Sequence, residues 1–204
     1  MTEQKEHLQA LTDIRSMMER SSRCISLSGL SGVFAGIFAL IGAYLGGSKL
    51  NSFSNGYRGE DLEGLTIYFV EIALAVLISS LLVGTLLTIR NSKRKGLKVW
   101  DSSAKRLLIN LAIPLGAGGL FCLALLNHGI LILVAPATLI FYGLALINAS
   151  KYTFNDIRYL GLCEIVLGLL ASYYIGYGLL FWAVGFGVLH IVYGAVMYFK
   201  YERK

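Results

Sequence analysis

Apolar runs of about 20 residues recur along this chain, and they limit what it can fold into more than any other feature. Of its 204 residues, 56% are hydrophobic and only 15% are charged. A helical run of that length matches the thickness of a lipid bilayer. No run alternates apolar and polar residues in steps of two, as the strands of a membrane β-barrel do. The sequence therefore predicts an all-α, polytopic membrane protein.

Six such runs predict six transmembrane helices within a single transmembrane domain, residues 25–199. The predicted spans are residues 25–45, 64–89, 107–126, 129–148, 157–176 and 179–199. The third and fourth spans are separated by a very short turn, and so are the fifth and sixth. Tight turns of this kind make neighbouring helices antiparallel, so we expect the six helices to form three hairpins.

The segment before the first span, residues 1–24, is polar and predicts a short amphipathic helix. Leu8, Leu11, Ile14 and Met18 recur at three- and four-residue steps, which places them on one helical face. The segment also carries several acidic residues and is long for a leader, so we expect it to be retained beside the membrane and not cleaved as a signal peptide.

Positive charge sets the predicted orientation of the spans. In this arrangement 16 of the 18 Lys and Arg residues fall on one side, and seven of them lie in the basic loop, residues 90–106. Cytoplasmic loops collect Lys and Arg, so we expect a cytoplasmic (inner) membrane protein with both termini, including the tail 200–204, in the cytoplasm. Topology explains the net charge of +6 more simply than nucleic-acid binding does.

The basic loop also predicts contact with lipid. Trp100 lies in its middle, and aromatic and basic side chains together are typical of segments along anionic headgroups. The side chains expected to make this contact are Lys93, Arg94, Lys95 and Lys98.

Ionisable residues inside spans are expensive and mark candidate sites, and three are present: Glu71, Glu164 and His190. Glu164 and His190 each lie on a helical face of Gly and Ala residues, which indicates a face packed against another helix. Their similar depth predicts that they meet as a hydrogen-bonded or ionic pair. The pair either serves as a ligand or proton site or locks two helices together.

Glu71 has two interpretations of equal weight. It lines a cavity open to the outer side, or it reaches the membrane interface or a neighbouring tyrosine.

Prolines and glycines predict local irregularity in two spans. Pro114, followed by Gly116 and Gly118, predicts a kink in the third span, and Pro136 predicts one in the fourth. Such a kink either opens a midplane site, as in transporters, or is simply packed.

Small residues also form a packing seam on the first span, where Ser28, Gly32 and Gly36 share one face. The seam serves either a helix of the same chain or a second copy in a homodimer. An interaction with another membrane protein is the further alternative.

The sequence offers little support for catalysis or for a cofactor. Cys24, Cys122 and Cys163 fall in or beside apolar spans, where we expect them to pack, and no spacing typical of a zinc, iron–sulfur or haem site occurs. No phosphate-binding loop, HExxH helix or GxSxG elbow is present. We therefore expect no metal and no cofactor.

Three functions stay open at this point. The first is a non-catalytic membrane module that binds a partner or a ligand. The second is a small proton- or ion-coupled carrier that uses Glu71, Glu164 and His190. The third is an intramembrane enzyme that modifies lipid.

Overall fold

The structure is a computed structural model, and it describes residues 9, 28–54, 62–94, 96, 100 and 102–203. No strand occurs among these residues, so the predicted all-α fold is confirmed for them. In chain order the helices are α1 (Gly29–Ser54), α2 (Leu62–Arg94), α3 (Ser102–Asn127), α4 (Leu131–Tyr152), α5 (Asp156–Tyr173) and α6 (Gly178–Tyr201).

Two of these helices change their winding along their length. In α4 the α-helical part, Val134–Ala149, has a single 3-10 turn at each end. In α6 the residues Ala183–Leu189 are π-helical, and they separate an α-helical first turn, Gly178–Trp182, from the α-helical remainder, His190–Tyr201. A π-helical stretch is rare, and such stretches occur frequently at functional sites.

Five helices, α1, α2, α3, α4 and α6, are long and apolar enough to cross a membrane, so the chain is a multi-pass membrane protein. The remaining predicted span, the fifth one at residues 157–176, corresponds to α5, which has only 18 residues. Asp156, Arg158 and Glu164 all lie within it, and three charged residues in so short a helix weaken its apolar character. Its crossing of the membrane therefore stays a prediction.

Some predicted segments lie outside the described residues. They include residues 1–24 apart from residue 9, and Lys95 and Lys98 of the basic loop. Lys93 and Arg94 are described and form the last turn of α2, which runs beyond its predicted end at residue 89. Positive side chains there stabilise the helix because its C-terminus carries partial negative charge.

Glycines allow α1 and α6 to lie backbone against backbone. A Cβ atom added to Gly32 of α1 would lie 3.1 Å from the Cα atom of Gly194 in α6. One added to Gly36 would lie 2.6 Å from the carbonyl oxygen of Gly187. Such distances leave no room for a side chain. The predicted seam of Ser28, Gly32 and Gly36 thus faces a helix of the same chain.

A second glycine contact joins α4 to α5. A Cβ atom added to Gly161 of α5 would lie 2.7 Å from the carbonyl oxygen of Gly143 in α4. One added to Gly168 would lie 3.0 Å from the carbonyl oxygen of Pro136. The small face of α5 that carries Glu164 is therefore turned toward α4.

The pairing of helices does not confirm three hairpins. Extensive contacts join α1 to α2, α3 to α4 and α4 to α5, whereas α6 packs mainly against α1. The fifth and sixth helices touch mostly near their connection and along the segment that contains His190. The tight turns themselves are present, since Gly129 and Gly176 adopt φ angles of +70° and +101° between α3 and α4 and between α5 and α6.

Pro114 lies inside α3, which runs from Ser102 to Asn127, so its predicted kink stays a prediction. Gly118 packs against Phe141, whereas a Cβ atom added to Gly116 would meet no other side chain or helix of the described residues within 4 Å. Pro136 lies in the first turn of the α-helical part of α4. The first N–H groups of an α-helical stretch have no α-helical partner, so a proline is tolerated there. The kink at Pro136 stays a prediction.

The residue that follows α6, Glu202, binds the start of α1. The Gly29 N–H group donates to its Oε1 atom, and the Ser28 hydroxyl donates to its Oε2 atom at 3.2 Å. A carboxylate at this end of a helix satisfies unpaired N–H groups and complements the helix dipole. The position of α1 therefore depends on α6 at its first turn as well as along the glycine contact.

Replacing a seam glycine should separate α1 from α6. A Cβ atom on Gly194 would lie 2.7 Å from the Gly29 carbonyl oxygen, so Gly194→Ala should lower the free energy of unfolding by about 1–3 kcal/mol. The control is Gly119→Ala in α3, where nothing lies within 4 Å. This control should be neutral or stabilising by up to about 1 kcal/mol, because Ala favours helices over Gly. Thermal unfolding in detergent compares the two, and equal midpoints would contradict the seam.

Candidate functional site

The deepest polar side chain of the described residues is that of Glu164, in the middle of α5. Its exposed fraction is 0%, and the small residues Gly161, Gly168 and Ala171 beside it on the helix are buried as well. Neither oxygen of its carboxyl group has a hydrogen-bond partner among the residues that the structure describes. A buried carboxyl group without a partner is unfavourable, so its presence calls for an explanation in terms of function or protonation.

His190 begins the last α-helical part of α6 and is also buried. Its Nδ1 atom lies 3.0 Å from the carbonyl oxygen of Gly185. A carbonyl oxygen can only accept, so Nδ1 carries a proton and donates it. In the neutral ring the Nε2 atom is then the acceptor, and it receives the hydroxyl proton of Tyr142 at 2.8 Å.

The predicted contact between Glu164 and His190 is present. The Nδ1 atom of His190 lies 3.4 Å from the Oε1 atom of Glu164. This separation is that of a close ion pair if the ring is charged, but it is too long for a good hydrogen bond, and the Nδ1 proton is directed to Gly185 instead. The two groups are therefore adjacent without the proton being shared well between them.

Gly185 is what allows Glu164 to approach α6. A Cβ atom at position 185 would overlap the carboxyl group and would lie 2.6 Å from the Cδ2 atom of Leu139. This glycine lies within the π-helical segment, Ala183–Leu189. The carboxyl group of α5 thus meets α6 within its π-helical segment, the kind of winding that is frequent at functional sites.

Aromatic rings line α6 on one side of this carboxyl group. Along α6 the ring centroids of Trp182 and Phe186 are 5.1 Å apart, and those of Phe186 and His190 are 5.8 Å apart. Tyr142 of α4 joins them, 4.9 Å from Phe186 and 5.4 Å from His190. We call these four residues the aromatic column, and it runs from the first turn of α6 to the side of Glu164.

Tyr142 is the functional-site residue that sequence reasoning missed. The sequence contains a signal for Tyr142. It lies six positions before residue 148, the predicted end of its span, and Glu164 lies seven positions after the predicted start of its own, so the two residues have similar predicted depths. Tyrosines in the middle of spans are uncommon compared with those at interfaces. A search for every polar residue at one depth would have included it.

Glu71 is not part of this site. It is exposed on α2, a helix that packs mainly against α1. Glu71 precedes Arg90 by 19 positions. That is roughly 28 Å of helix at 1.5 Å per residue, close to the thickness of a bilayer core. This length is compatible with Arg90 at one interface and Glu71 at the other. Both interpretations of Glu71, a cavity or the interface, stay predictions.

The remaining candidate groups form no centre of their own. Within the described part of the chain no three His, Cys, Asp or Glu side chains converge as metal ligands. Cys122 and Cys163 are not in disulfides, and the Cys163 sulfur lies 4.0 Å from the hydroxyl of Tyr193, near Glu164 in sequence.

No protein-family model matches the chain, no curated protein matches its sequence, and no solved structure matches its fold.

Proposed function

We propose that this chain is a non-catalytic, ligand-binding protein of the cytoplasmic membrane, with six spans and both termini in the cytoplasm. Its ligand site comprises Glu164, His190 and Tyr142, and its first ligand is a proton held by Glu164. The observation that carries this proposal is the fully buried Glu164 carboxyl group, whose oxygens have no hydrogen-bond partner among the described residues.

The surroundings of Glu164 favour the protonated acid over the carboxylate. Taking an ionised carboxylate out of water costs several kcal/mol unless a counter-charge and hydrogen bonds compensate. The titratable groups that face it in the described structure are His190 from α6 and Tyr142 from α4, and both are already engaged with each other. A neutral Glu164 beside a neutral His190 is therefore the stable arrangement in this conformation.

The same geometry offers a second protonation state. If the proton moves to the imidazole ring, His190 becomes a cation 3.4 Å from the Glu164 carboxylate, and the two form a buried ion pair. The ring can accept this proton only at Nε2, so Tyr142 must then turn its hydroxyl from donor to acceptor. Tyr142 thus orients the His190 ring, and the direction of its hydrogen bond to Nε2 differs between the two protonation states.

The crossing of the membrane by α5 and the orientation of the chain rest on the sequence pattern together with the packing. A face of α5 with Gly161, Gly168 and Ala171 is buried, while Val166 and Leu169 are exposed, as on a helix that borders lipid. Asp156 and Arg158 lie within its first three residues, where they can reach an interface. The distribution of Lys and Arg then assigns that end to the cytoplasm.

Infrared spectroscopy tests the protonation of Glu164. We expect the full-length protein at neutral pH to show the carbonyl stretch of a protonated carboxylic acid, and we expect Glu164→Gln to remove it. The reason is that the buried acid has no compensating counter-charge in its neutral surroundings. Glu71→Gln is the control and should leave this Glu164-dependent band unchanged, since Glu71 lies on α2, which packs mainly against α1. A spectrum without a Glu164-dependent acid band at neutral pH would contradict the proposal.

A carrier is the second candidate, and one observation favours it. The site lies against the π-helical segment Ala183–Leu189, whose conversion to α-helix would change the register of α6 beside Glu164. A helix with two registers is one way to expose a buried group to each side of the membrane in turn.

Accessibility from the two sides of a vesicle tests the carrier. In a chain with its other cysteines replaced by serine, Glu164→Cys should react with a membrane-impermeant maleimide added to either face of sealed vesicles, because a carrier exposes its site alternately. Glu71→Cys, near one end of α2, should react from one face only. Reaction of Glu164→Cys from a single face, or no reaction at all, would rule out alternating exposure and leave a binding protein.

A further inference from the structure

The unsatisfied oxygens of Glu164 define what kind of ligand could replace the proton. Both oxygens are buried and without a partner in the described structure, and a carboxylate can only accept hydrogen bonds. A ligand that satisfies them must bring N–H or O–H donors, and it must also bring positive charge to offset the buried negative charge. A primary ammonium group has three N–H donors and one positive charge, so it meets both requirements.

The aromatic column supplies the second half of a site for such a ligand. Trp182, Phe186, Tyr142 and His190 form a continuous series of rings with centroid separations between 4.9 and 5.8 Å. The faces of Trp, Tyr and Phe attract a cation within about 6 Å, and the attraction strengthens where water is excluded. The same rings pack well against an apolar group on the ligand. The Glu164 carboxyl group would then bind the positive charge of the ligand, and the adjacent aromatic column would bind its apolar group.

The backbone between these two halves is the π-helical segment of α6. Glu164 has no exposed surface in this conformation, so a ligand must move α6 away from it at Gly185. Gly185 and Gly187 both belong to the π-helical segment, which carries the aromatic ring of Phe186 between them. Displacement of this segment separates Gly185 from the carboxyl group and turns the Phe186 ring relative to it.

We propose that Glu164 and the aromatic column together bind a protonated primary amine that carries an apolar group. The inference rests on the proposed function in one respect, namely that Glu164 is a ligand-binding group. In the bound state the ammonium group donates to the Glu164 carboxylate, and the apolar group lies along Phe186 and Trp182. The proton of Glu164 leaves before or as the ammonium enters, so amine and proton compete for the same carboxyl group.

Phenethylamine is a suitable probe, because its ammonium group is protonated at neutral pH like that of lysine. The chain contains two tryptophans, Trp100 and Trp182, so Trp100→Phe leaves Trp182 as the reporter inside the column. In nanodiscs of phosphatidylcholine, which lacks primary amines, we expect a saturable change in Trp182 fluorescence. Phenethyl alcohol has the same ring without the charge and should cause no saturable change at equal concentration.

Two variants separate the carboxyl group from the rings. Glu164→Gln should weaken phenethylamine binding at least tenfold, because it removes the counter-charge, while Glu71→Gln should leave binding unchanged. Phe186→Leu keeps an apolar side chain but removes a ring face, and we expect it to weaken binding severalfold. If the Glu164→Gln protein fails to fold, the Phe186→Leu variant still tests the proposed site.

The primary ammonium could belong to a free amine or to a phosphatidylethanolamine headgroup, and lipid composition distinguishes them. If phosphatidylethanolamine in the nanodisc weakens phenethylamine binding, the headgroup is the occupant; if binding is unchanged, a free amine is. Saturable binding of phenethyl alcohol, or equal binding of phenethylamine by the wild type and Glu164→Gln, would overturn the inference. The acid band of Glu164 is measured without any amine, so its presence or absence judges the proposed function separately.

Discussion

A carboxyl group buried between three helices is the constraint on which the rest of this structure depends. Glu164 has no exposed surface, and the described residues around it leave both of its oxygens without a hydrogen bond. A single polar contact between membrane helices contributes only about 0.6 kcal/mol and rarely more than about 1.7. Such a contact cannot hold α5 and α6 together by itself, so the surrounding packing must keep the group in place.

Glycines provide that packing on both sides of the site. Gly161 and Gly168 flank Glu164 and lie against the backbone of α4, while Gly187 and Gly194 flank His190 and lie against the backbone of α1. Each ionisable residue thus lies on a helical face that is closely packed against a neighbouring helix. The Glu202 contact with Ser28 and Gly29 adds a further restraint at the end of α6. The π-helical segment belongs to this arrangement through Gly187, and it contacts Glu164 at Gly185.

The sequence was informative about faces and depths, and uninformative about partners. Small residues around Glu164 and His190 correctly indicated packed faces, and the matching depths correctly predicted their contact at 3.4 Å. A stripe of glycines shows that something packs against it without showing which helix does. For this reason the seam of α1 could not be assigned to α6, nor the face of α5 to α4, before the structure. Tyr142 and the π-helical winding were missed because neither follows from a residue's own charge or from simple helical spacing.

The central claim is that Glu164 and His190 are adjacent inside the folded bundle, and dipolar recoupling by solid-state NMR in lipid bilayers measures this directly. Full-length protein would carry ¹³C in its Glu side chains and ¹⁵N in its His rings, with Glu164→Gln to assign the signal. The 3.4 Å separation of Nδ1 and Oε1 predicts strong dephasing of the Glu164 carboxyl carbon by the His190 Nδ1 atom. A Glu164 carboxyl signal without measurable coupling to any histidine nitrogen would contradict the account.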